Sequence, residues 1–432
     1  MGFVRSIGRW AMTGLVINCI IASGIFGVPG ELNRLLGRAS PVAVILAALM
    51  MACIIAATAE VASQFSEPGG AYLYARTAFG RFVGMQVGWF SLLSIIAAAA
   101  TNANLFVVYS AGVFPSAGHG WLRVLLISAL IGVPAAVNYF GVRKGAGLSS
   151  VLVMAKLLPL SMLIVLGLAH FNRQVQFIRS SEISAPGWGP WLSALLLLVF
   201  TYSGFQHAII PGGEVKNPRR TVPFSLAAGL LVSMGTYALL QFVTVPTIGT
   251  STSSRPVADT ASVLIGPVGG TLVAVAVMIS TGGHVSSVML HAPRLAFSLA
   301  AQGEFPTFLA RLHPRFHTPT LAIVCYAALV WLLGVSGGFL WLLALTAASA
   351  MITYISICAA LIQLRHRQPR ADALRVPFGP VFSAIGITIS LVLISRLQLS
   401  QALLMGVTVA IASANWWLVK RPSEAFGPVL GR

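Results

Sequence analysis

The chain has 432 residues, of which 57% are hydrophobic and 8% charged, and its net charge is +18 at pH 7. A water-soluble domain could not bury so much apolar surface, so the composition excludes a soluble protein and indicates one that spans a membrane. The charge does not predict a nucleic-acid partner. Most of the lysines and arginines fall in segments that a cytoplasmic N-terminus would place in the cytoplasm, where anionic lipid head groups attract them.

Uncharged stretches long enough for a membrane-spanning helix recur along the whole chain. They predict a multi-pass protein of the cell's inner membrane, with both termini in the cytoplasm. We predict twelve spans, at about residues 10–33, 41–63, 83–112, 122–140, 148–170, 189–211, 222–246, 262–293, 319–335, 338–363, 377–396 and 398–419.

The first predicted span is interrupted at residues 22–30, Ala-Ser-Gly-Ile-Phe-Gly-Val-Pro-Gly. Hydrocarbon offers no hydrogen-bond partner to the backbone, so such a break is tolerated mainly where it faces protein or a water-filled cavity. A second break, Ser203-Gly204, lies in the sixth span. Two interrupted helices at matching positions in two halves of a chain indicate a transporter's binding site, whereas the alternative is that glycine is simply common in membrane helices.

The spans divide into two blocks of five, at about residues 10–170 and 189–363. Because five is odd, the second block enters the membrane from the opposite side, which predicts an inverted repeat. Two further helices at about 377–419 complete a single transmembrane domain over residues 1–420, followed by a cytoplasmic tail at 421–432.

Several short motifs carry a family resemblance, and they run in order over nearly the whole chain. They are Ala22-Ser-Gly-Ile-Phe-Gly-Val-Pro-Gly30, Pro68-Gly-Gly-Ala-Tyr-Leu-Tyr74, Phe200-Thr-Tyr-Ser-Gly-Phe205, Glu214-Val-Lys-Asn-Pro-Arg-Arg-Thr-Val-Pro223, Gly303-Glu-Phe-Pro306 and Arg375-Val-Pro-Phe-Gly379. Together they resemble the amino acid–polyamine–organocation superfamily. The resemblance implies an all-α, leucine-transporter-type fold with broken helices 1 and 6, and the transport of amino acids or related amines.

A free amino acid carries a carboxylate and an ammonium, and a split helix offers a partner for each. The start of the second half-helix presents free N–H groups to the carboxylate, and the end of the first half-helix presents carbonyls to the ammonium. The resemblance also implies that Phe200 closes over the substrate; a core phenylalanine is the alternative. We assign substrate binding to the residues of the two breaks: Ile21, Ala22, Ser23, Gly24, Ile25, Phe200, Tyr202, Ser203 and Gly204.

Lys156 lies deep in the fifth span, where an ionisable side chain is costly enough to suggest a function. It matches the family's fifth-helix lysine, which implies that its ammonium takes the place of a sodium ion between the first and eighth helices. Ser280 and Thr281 of the eighth span offer hydroxyls there. We therefore predict sodium-independent transport, with Lys156 also a candidate proton carrier; a lysine that snorkels to the interface is the alternative.

Gln206 stands where several relatives of the family carry a carboxylate. Without an acid beside the breaks, cationic substrates are disfavoured, and Ser203 in place of the common glycine favours small side chains. Glu60 is a candidate for a proton path, and the alternative is a surface acid that is solvated or paired with arginine. The chain carries no catalytic motif, so we expect no enzyme activity, no cofactor and no metal site.

These observations predict a sodium-independent secondary transporter of neutral L-amino acids that works by alternating access, as an exchanger or a proton symporter. Its partners would be the amino acid and membrane lipids, and the sequence leaves a homo-oligomer open. The alternatives are a transporter of polyamines or other organic amines, and a membrane sensor that binds amino acids without transporting them.

Overall fold

Helices make up nearly all the regular structure of the chain. The computed structural model describes residues 7–65, 69–140, 148–170, 186–209, 215–249, 253–367 and 374–419, and of the helical residues 148–155 it describes the backbone alone. The predicted tail at 421–432 and the motif residues Pro68 and Glu214 lie outside these ranges. The one β-bridge within them pairs Ile7 with Val215.

Sixteen α-helices occur in the described residues. They are α1 (Arg9–Ile20), α2 (Gly24–Leu36), α3 (Ser40–Ser63), α4 (Gly70–Phe79), α5 (Arg81–Ser110), α6 (Gly120–Tyr139), α7 (Leu148–Ala169), α8 (Trp188–Tyr202), α9 (Phe205–Ala208), α10 (Pro218–Ile248), α11 (Pro256–Ile265), α12 (Pro267–Ala301), α13 (Thr320–Ser336), α14 (Phe339–Arg367), α15 (Gly379–Ile394) and α16 (Leu399–Leu418).

Many of these helices are long and apolar enough to cross a membrane. Eight stretches of the described residues meet this standard: Gly24–Ser63, Arg81–Ser110, Gly120–Tyr139, Trp188–Ala208, Pro218–Ile248, Pro267–Ala301, Phe339–Arg367 and Leu399–Leu418. Four shorter helical stretches are also apolar: Lys156–Ala169, Pro256–Ile265, Thr320–Ser336 and Gly379–Ile394. The chain is therefore a multi-pass membrane protein, as its composition predicts.

The centre of the molecule is built from long helices with small side chains. α5 packs against α12 and α14, and α10 packs against α1 and α3. On α5 the alanines at 97, 99, 100 and 103 are fully buried. Alanine lets helix backbones approach closely, which is how helices associate in a solvent that gives no hydrophobic drive between them.

Glu60 of α3 is a buried acid held by an arginine. Arg365 of α14 donates to its two carboxylate oxygens at 2.6 and 2.7 Å, and the N–H of Val376 donates to one of them at 2.9 Å. The side chain of Glu60 is only 1% exposed. Glu60 is thus an acid paired with arginine, one of the two interpretations of its position in the sequence. Its hydrogen bonds connect α3 to α14 and to the segment before α15.

A second buried acid, Glu304, joins the segment after α12 to α4 and α5. Arg76 and Arg81 approach its carboxylate at 3.1 and 3.2 Å, and Asn415 of α16 donates to its backbone carbonyl at 2.7 Å.

The helices α15 and α16 pack on different partners. α15 packs on α3 and α14, and α16 packs on α5.

Candidate functional site

The first predicted interruption lies between α1 and α2. α1 ends at Ile20, and the chain turns through three residues before α2 begins at Gly24. The carbonyl of Ser23 accepts hydrogen bonds from the N–H groups of Phe26 and Gly27, both at 3.1 Å. The first N–H groups of any helix lack acceptors within it, so the start of α2 presents free donors at this point. The hydroxyl of Ser23 is completely buried and has no hydrogen-bond partner in the part of the chain that the structure describes.

The second interruption lies between α8 and α9. α8 ends at Tyr202 and α9 begins at Phe205, with Gly204 in a left-handed conformation at φ 105°. Glycine adopts this conformation without the steric cost that a side chain would bring. The N–H and the hydroxyl of Ser203 both donate to the carbonyl of Phe200, at 3.0 and 2.7 Å.

The two interruptions pack directly against each other, and glycines make this possible. A Cβ atom added to Gly204 would lie 2.2 Å from the carbonyl oxygen of Cys19, and one added to Gly24 would lie 2.8 Å from the Cα of Thr201. The hydroxyl of Tyr237 on α10 lies 2.9 Å from the carbonyl oxygen of Ile20 and 3.1 Å from that of Thr201. Tyr237 therefore bridges the ends of α1 and α8.

Lys156 of α7 reaches this place from the side. Its ammonium donates to the Oδ1 of Asn18 at 2.9 Å and to the carbonyl of Ile21 at 3.3 Å, and the residue is 3% exposed. Lys156 therefore contacts one carbonyl of the first break, that of Ile21. The partner Asn18 was not predicted, although an amide just before the break in an apolar span is a signal for it.

The predicted hydroxyls on the eighth span lie on α12, which packs against α7. Ser280 and Thr281 are both buried. The Thr281 hydroxyl donates to the carbonyl of Val277 on its own helix at 2.8 Å. Among the described hydrogen bonds, those of Lys156 go to Asn18 of α1 and to Ile21 just after it, and none goes to α12.

Four backbone carbonyls at the two interruptions, those of Ile21, Ala22, Phe200 and Ser203, could bind the substrate ammonium, and they differ in the hydrogen bonds that they already accept. That of Phe200 accepts two hydrogen bonds from Ser203, and that of Ile21 accepts one from Lys156. Those of Ala22 and Ser203 accept none from the described residues. Since a carbonyl oxygen has two lone pairs, Ala22 and Ser203 keep the most capacity to bind a cation.

Tyr202 is tied to the neighbouring helix rather than left free at the break. Its hydroxyl donates to the carbonyl of Val44 on α3 at 3.1 Å, and its ring lies 5.1 Å from that of Tyr237. Phe200 and Ile25 are also buried. All nine residues assigned to substrate binding therefore lie at or next to the paired interruptions.

Gln206 and Tyr354 join the second interruption to α14. The Oε1 of Gln206 accepts hydrogen bonds from the N–H of Gly204 at 2.9 Å and from the hydroxyl of Tyr354 at 3.0 Å. The rings of Phe205 and Tyr354 stack with centroids 5.3 Å apart. No local pattern points to Tyr354, because it lies 148 residues from its partner Gln206.

The site offers partners for both charged ends of a zwitterion. The N–H groups of a helix start and a buried hydroxyl can donate hydrogen bonds to a carboxylate, and free carbonyls can accept hydrogen bonds from an ammonium. Within the described ranges no three histidine, cysteine, aspartate or glutamate side chains are grouped so that they could hold a metal ion.

A multi-pass, all-α chain with two interrupted helices packed together defines a membrane transport protein, and the comparisons with known proteins agree. Its fold is similar to that of MhsT, whose crystal structure is in complex with L-phenylalanine, with a TM-score of 0.60 over 94% of this chain and 100% of that one, at 14% identity. The family model "Amino acid permease" matches residues 7–419. The chain therefore belongs to the amino acid permease family, which confirms the resemblance found in its motifs.

Two curated relatives are transporters of similar length, both from Bacillus subtilis (strain 168). The serine/threonine exchanger SteT is 26% identical over 436 residues, which cover 96% of each chain. The methylthioribose transporter is 24% identical over 453 residues, covering 96% of this chain and 94% of the relative. The family and these relatives make the chain a transporter rather than an enzyme.

Proposed function

We propose that this protein is a sodium-independent secondary transporter of neutral L-amino acids that works by alternating access, as an exchanger or a proton symporter. The observation that carries the proposal is the pair of interrupted helices, α1/α2 and α8/α9, packed against each other with the ammonium of Lys156 bonded at Ile21. Paired helix breaks of this kind form the substrate site in inverted-repeat transporters.

The proposed architecture has twelve spans. α1 and α2 form the first and α8 and α9 the sixth, so that repeat one covers about residues 10–170 and repeat two about 189–363. α15 and α16 are the last two spans, α4 and α11 lie in connections, and both termini are cytoplasmic in the inner membrane. Residues 1–420 are then one transport domain.

Substrate would bridge the two interruptions. The N–H groups at the start of α2 and the buried hydroxyl of Ser23 bind the carboxylate, since the helix start is the positive end of its dipole. The carbonyls of Ala22 and Ser203 bind the ammonium, because they have the most capacity left. Phe200 closes over the substrate from α8, and Tyr202 lines the site.

Lys156 makes a coupling ion unnecessary at the first break. Its ammonium already donates to Ile21 and Asn18, where a sodium ion would otherwise need oxygen ligands. Ser280 and Thr281 on the neighbouring α12 supply further oxygens when the protein changes conformation. Uptake that does not depend on sodium follows from this arrangement.

A neutral substrate fits the charges around the site. In the described part of the chain, the buried carboxylates of Glu60 and Glu304 are both paired with arginines. The similarity to SteT, a serine/threonine exchanger, supports small neutral amino acids as substrates and exchange as the mode of transport. The name of the methylthioribose transporter supports a second candidate, a neutral sulfur-containing sugar.

Uptake into proteoliposomes tests the proposal. The purified chain is given labelled amino acids, putrescine and methylthioribose, with and without internal amino acid, sodium and a pH gradient. Uptake of neutral amino acids without sodium is expected. Acceleration by internal amino acid identifies an exchanger, and acceleration only by an inward proton gradient identifies a symporter. Transport of putrescine or methylthioribose alone contradicts the proposal.

A further inference from the structure

The side-chain amide of Gln206 has an orientation that its neighbours fix. The N–H of Gly204 can only donate, so the group 2.9 Å from it must be the amide oxygen. The hydroxyl of Tyr354 donates to the same oxygen at 3.0 Å. The amide nitrogen of Gln206 therefore points away from both, with its two donor hydrogens.

These two hydrogens have no acceptor among the described residues. Gln206 is 5% exposed and lies between the interruption at Gly204 and α14. The amide nitrogen is not among the side-chain atoms that protein encloses completely without a partner, so a small polar group can approach it. It therefore offers an unused donor beside the second interruption, where the proposed substrate site lies.

We infer that Gln206 is a specificity-determining residue that donates a hydrogen bond to an oxygen on the substrate's side chain. The substrate class is then a small neutral amino acid with a side-chain hydroxyl or amide, and cationic amino acids are excluded. The inference rests on the proposed function and deepens it, because it concerns the same site.

The exclusion of cations follows from the same geometry. The amide presents two partly positive hydrogens where a substrate ammonium or guanidinium would need an acceptor. A carboxylate at this position could accept the same two hydrogen bonds, from Gly204 and Tyr354, with one oxygen. Its other oxygen would then replace the donor with a negative charge, so Gln206→Glu should admit cationic substrates.

The first test uses the unmodified protein. Threonine and valine have nearly the same shape, but only threonine has a hydroxyl. A site that binds a hydroxyl rejects the analogue that lacks it, so we expect threonine to be transported at least about tenfold more efficiently than valine. Equal transport of the two would overturn the inference. Failure to transport any amino acid would instead overturn the proposed function.

The second test uses three variants. Two of them are compared by the threonine-to-valine ratio, and the third by its inhibition with cationic amino acids. Gln206→Met keeps the length of the side chain without its amide, and the ratio should fall to near one. Gln302→Met, on an exposed residue at the end of α12, should keep the native ratio. Gln206→Glu should become sensitive to inhibition by arginine and lysine.

A merely structural defect in Gln206→Met would lower threonine and valine uptake together and leave their ratio native. A native ratio in this variant therefore contradicts the inference. If Gln206→Met does not fold, Gln206→Glu decides in its place. No competition by arginine or lysine in a Gln206→Glu protein that still transports threonine would count against the assignment.

Discussion

Lys156 illustrates how one charged residue is tolerated in the apolar interior. A buried ammonium is costly unless hydrogen bonds replace the water that it has lost. Two acceptors supply such bonds: the side chain of Asn18 on α1 and the carbonyl of Ile21 just after it. In an intact helix the carbonyl of Ile21 would accept a backbone hydrogen bond instead. The charge and the interruption therefore stabilise each other.

Replacing Lys156 by alanine should reduce amino acid uptake at least about tenfold, because the free carbonyl at Ile21 would lose its donor. Uptake into proteoliposomes, with and without sodium, measures this. Lys216→Ala is the matched control, because Lys216 is exposed before α10 and its loss should leave uptake unchanged. Uptake that needs sodium and survives Lys156→Ala would show that the residue does not replace an ion.

Ser203 should set the size of the accepted side chain, since its hydroxymethyl group occupies space at the second interruption. We expect Ser203→Gly to shift the preference from alanine towards leucine by at least about tenfold, the lower end of what one methylene is worth in an apolar pocket. The measurement is the ratio of the two uptake efficiencies. An unchanged ratio would sink this assignment.

At the scale of helices, the shape of the site depends on glycines that no side chain can replace. Gly204 combines a left-handed conformation with close approach to the backbone of Cys19. A backbone carbonyl cannot move aside as the tip of a flexible side chain can. The interruption of α8/α9 is therefore held against α1 by sterics as well as by the hydroxyl of Tyr237.

Gly204→Ala should abolish uptake and lower the thermal midpoint, because it adds a clash to the strain of about 1–3 kcal/mol that a left-handed non-glycine residue carries. Gly249→Ala is the control. Gly249 is also left-handed, at φ 59°, but a Cβ there would meet nothing within 4 Å. The control should lose some stability and keep uptake. If Gly249→Ala lowered uptake and the thermal midpoint as much as Gly204→Ala does, the close approach of Gly204 to Cys19 would not explain the loss.

The ion pair between Glu60 and Arg365 connects elements 305 residues apart in sequence. Removing the acid alone leaves the guanidinium of Arg365 beside an uncharged partner, so Glu60→Gln should lower the free energy of unfolding by about 2–3 kcal/mol. This is less than for a fully buried pair, since Arg365 keeps some exposure to solvent.

A comparable change at the exposed pair Glu31–Arg34 provides the control. Glu31→Gln should cost less than about 1 kcal/mol, as is usual for surface ion pairs. Thermal unfolding of both variants in the same detergent gives the comparison. A Glu60→Gln protein as stable as the Glu31→Gln protein would mean that the buried pair does not hold α3, α14 and the segment before α15 together.

For the whole molecule, the distribution of lysines and arginines predicts which connections face the cytoplasm. In this topology the connection between α5 and α6 lies outside and the connection after α12 lies inside. Both contain exposed residues, His119 and Gln302. The orientation is thus open to a direct test in cells.

Single cysteines placed in a cysteine-free chain report this orientation. In intact cells we expect His119→Cys to react with a membrane-impermeant thiol reagent, and Gln302→Cys to react only after the membrane is permeabilised. Uptake by each variant shows that it is folded. The opposite labelling pattern would invert the topology and with it the cytoplasmic placement of both termini.

Much of this protein could be predicted from its sequence, because the decisive signals are local. Apolar composition is a property of the residues themselves, and it predicts membrane spans before any fold is known. A glycine beside a serine in an apolar span breaks a helix through its own backbone, so the interruptions at Ser23-Gly24 and Ser203-Gly204 could be located. A lysine in such a span is costly wherever its partners lie, so Lys156 was identifiable as well.

The tertiary structure decided which groups those residues meet. Ser280 and Thr281 were expected beside Lys156, but its hydrogen bonds in the described residues go to Asn18 and Ile21. Tyr237 and Tyr354 reach the interruptions from α10 and α14. Partners so distant in sequence are brought together by helix packing, and no local pattern encodes which side chains will face each other there. Composition and local patterns therefore predict the membrane fold class and the positions of the breaks. The donors and acceptors at each break depend on how the helices pack, because packing brings together residues that are distant in sequence.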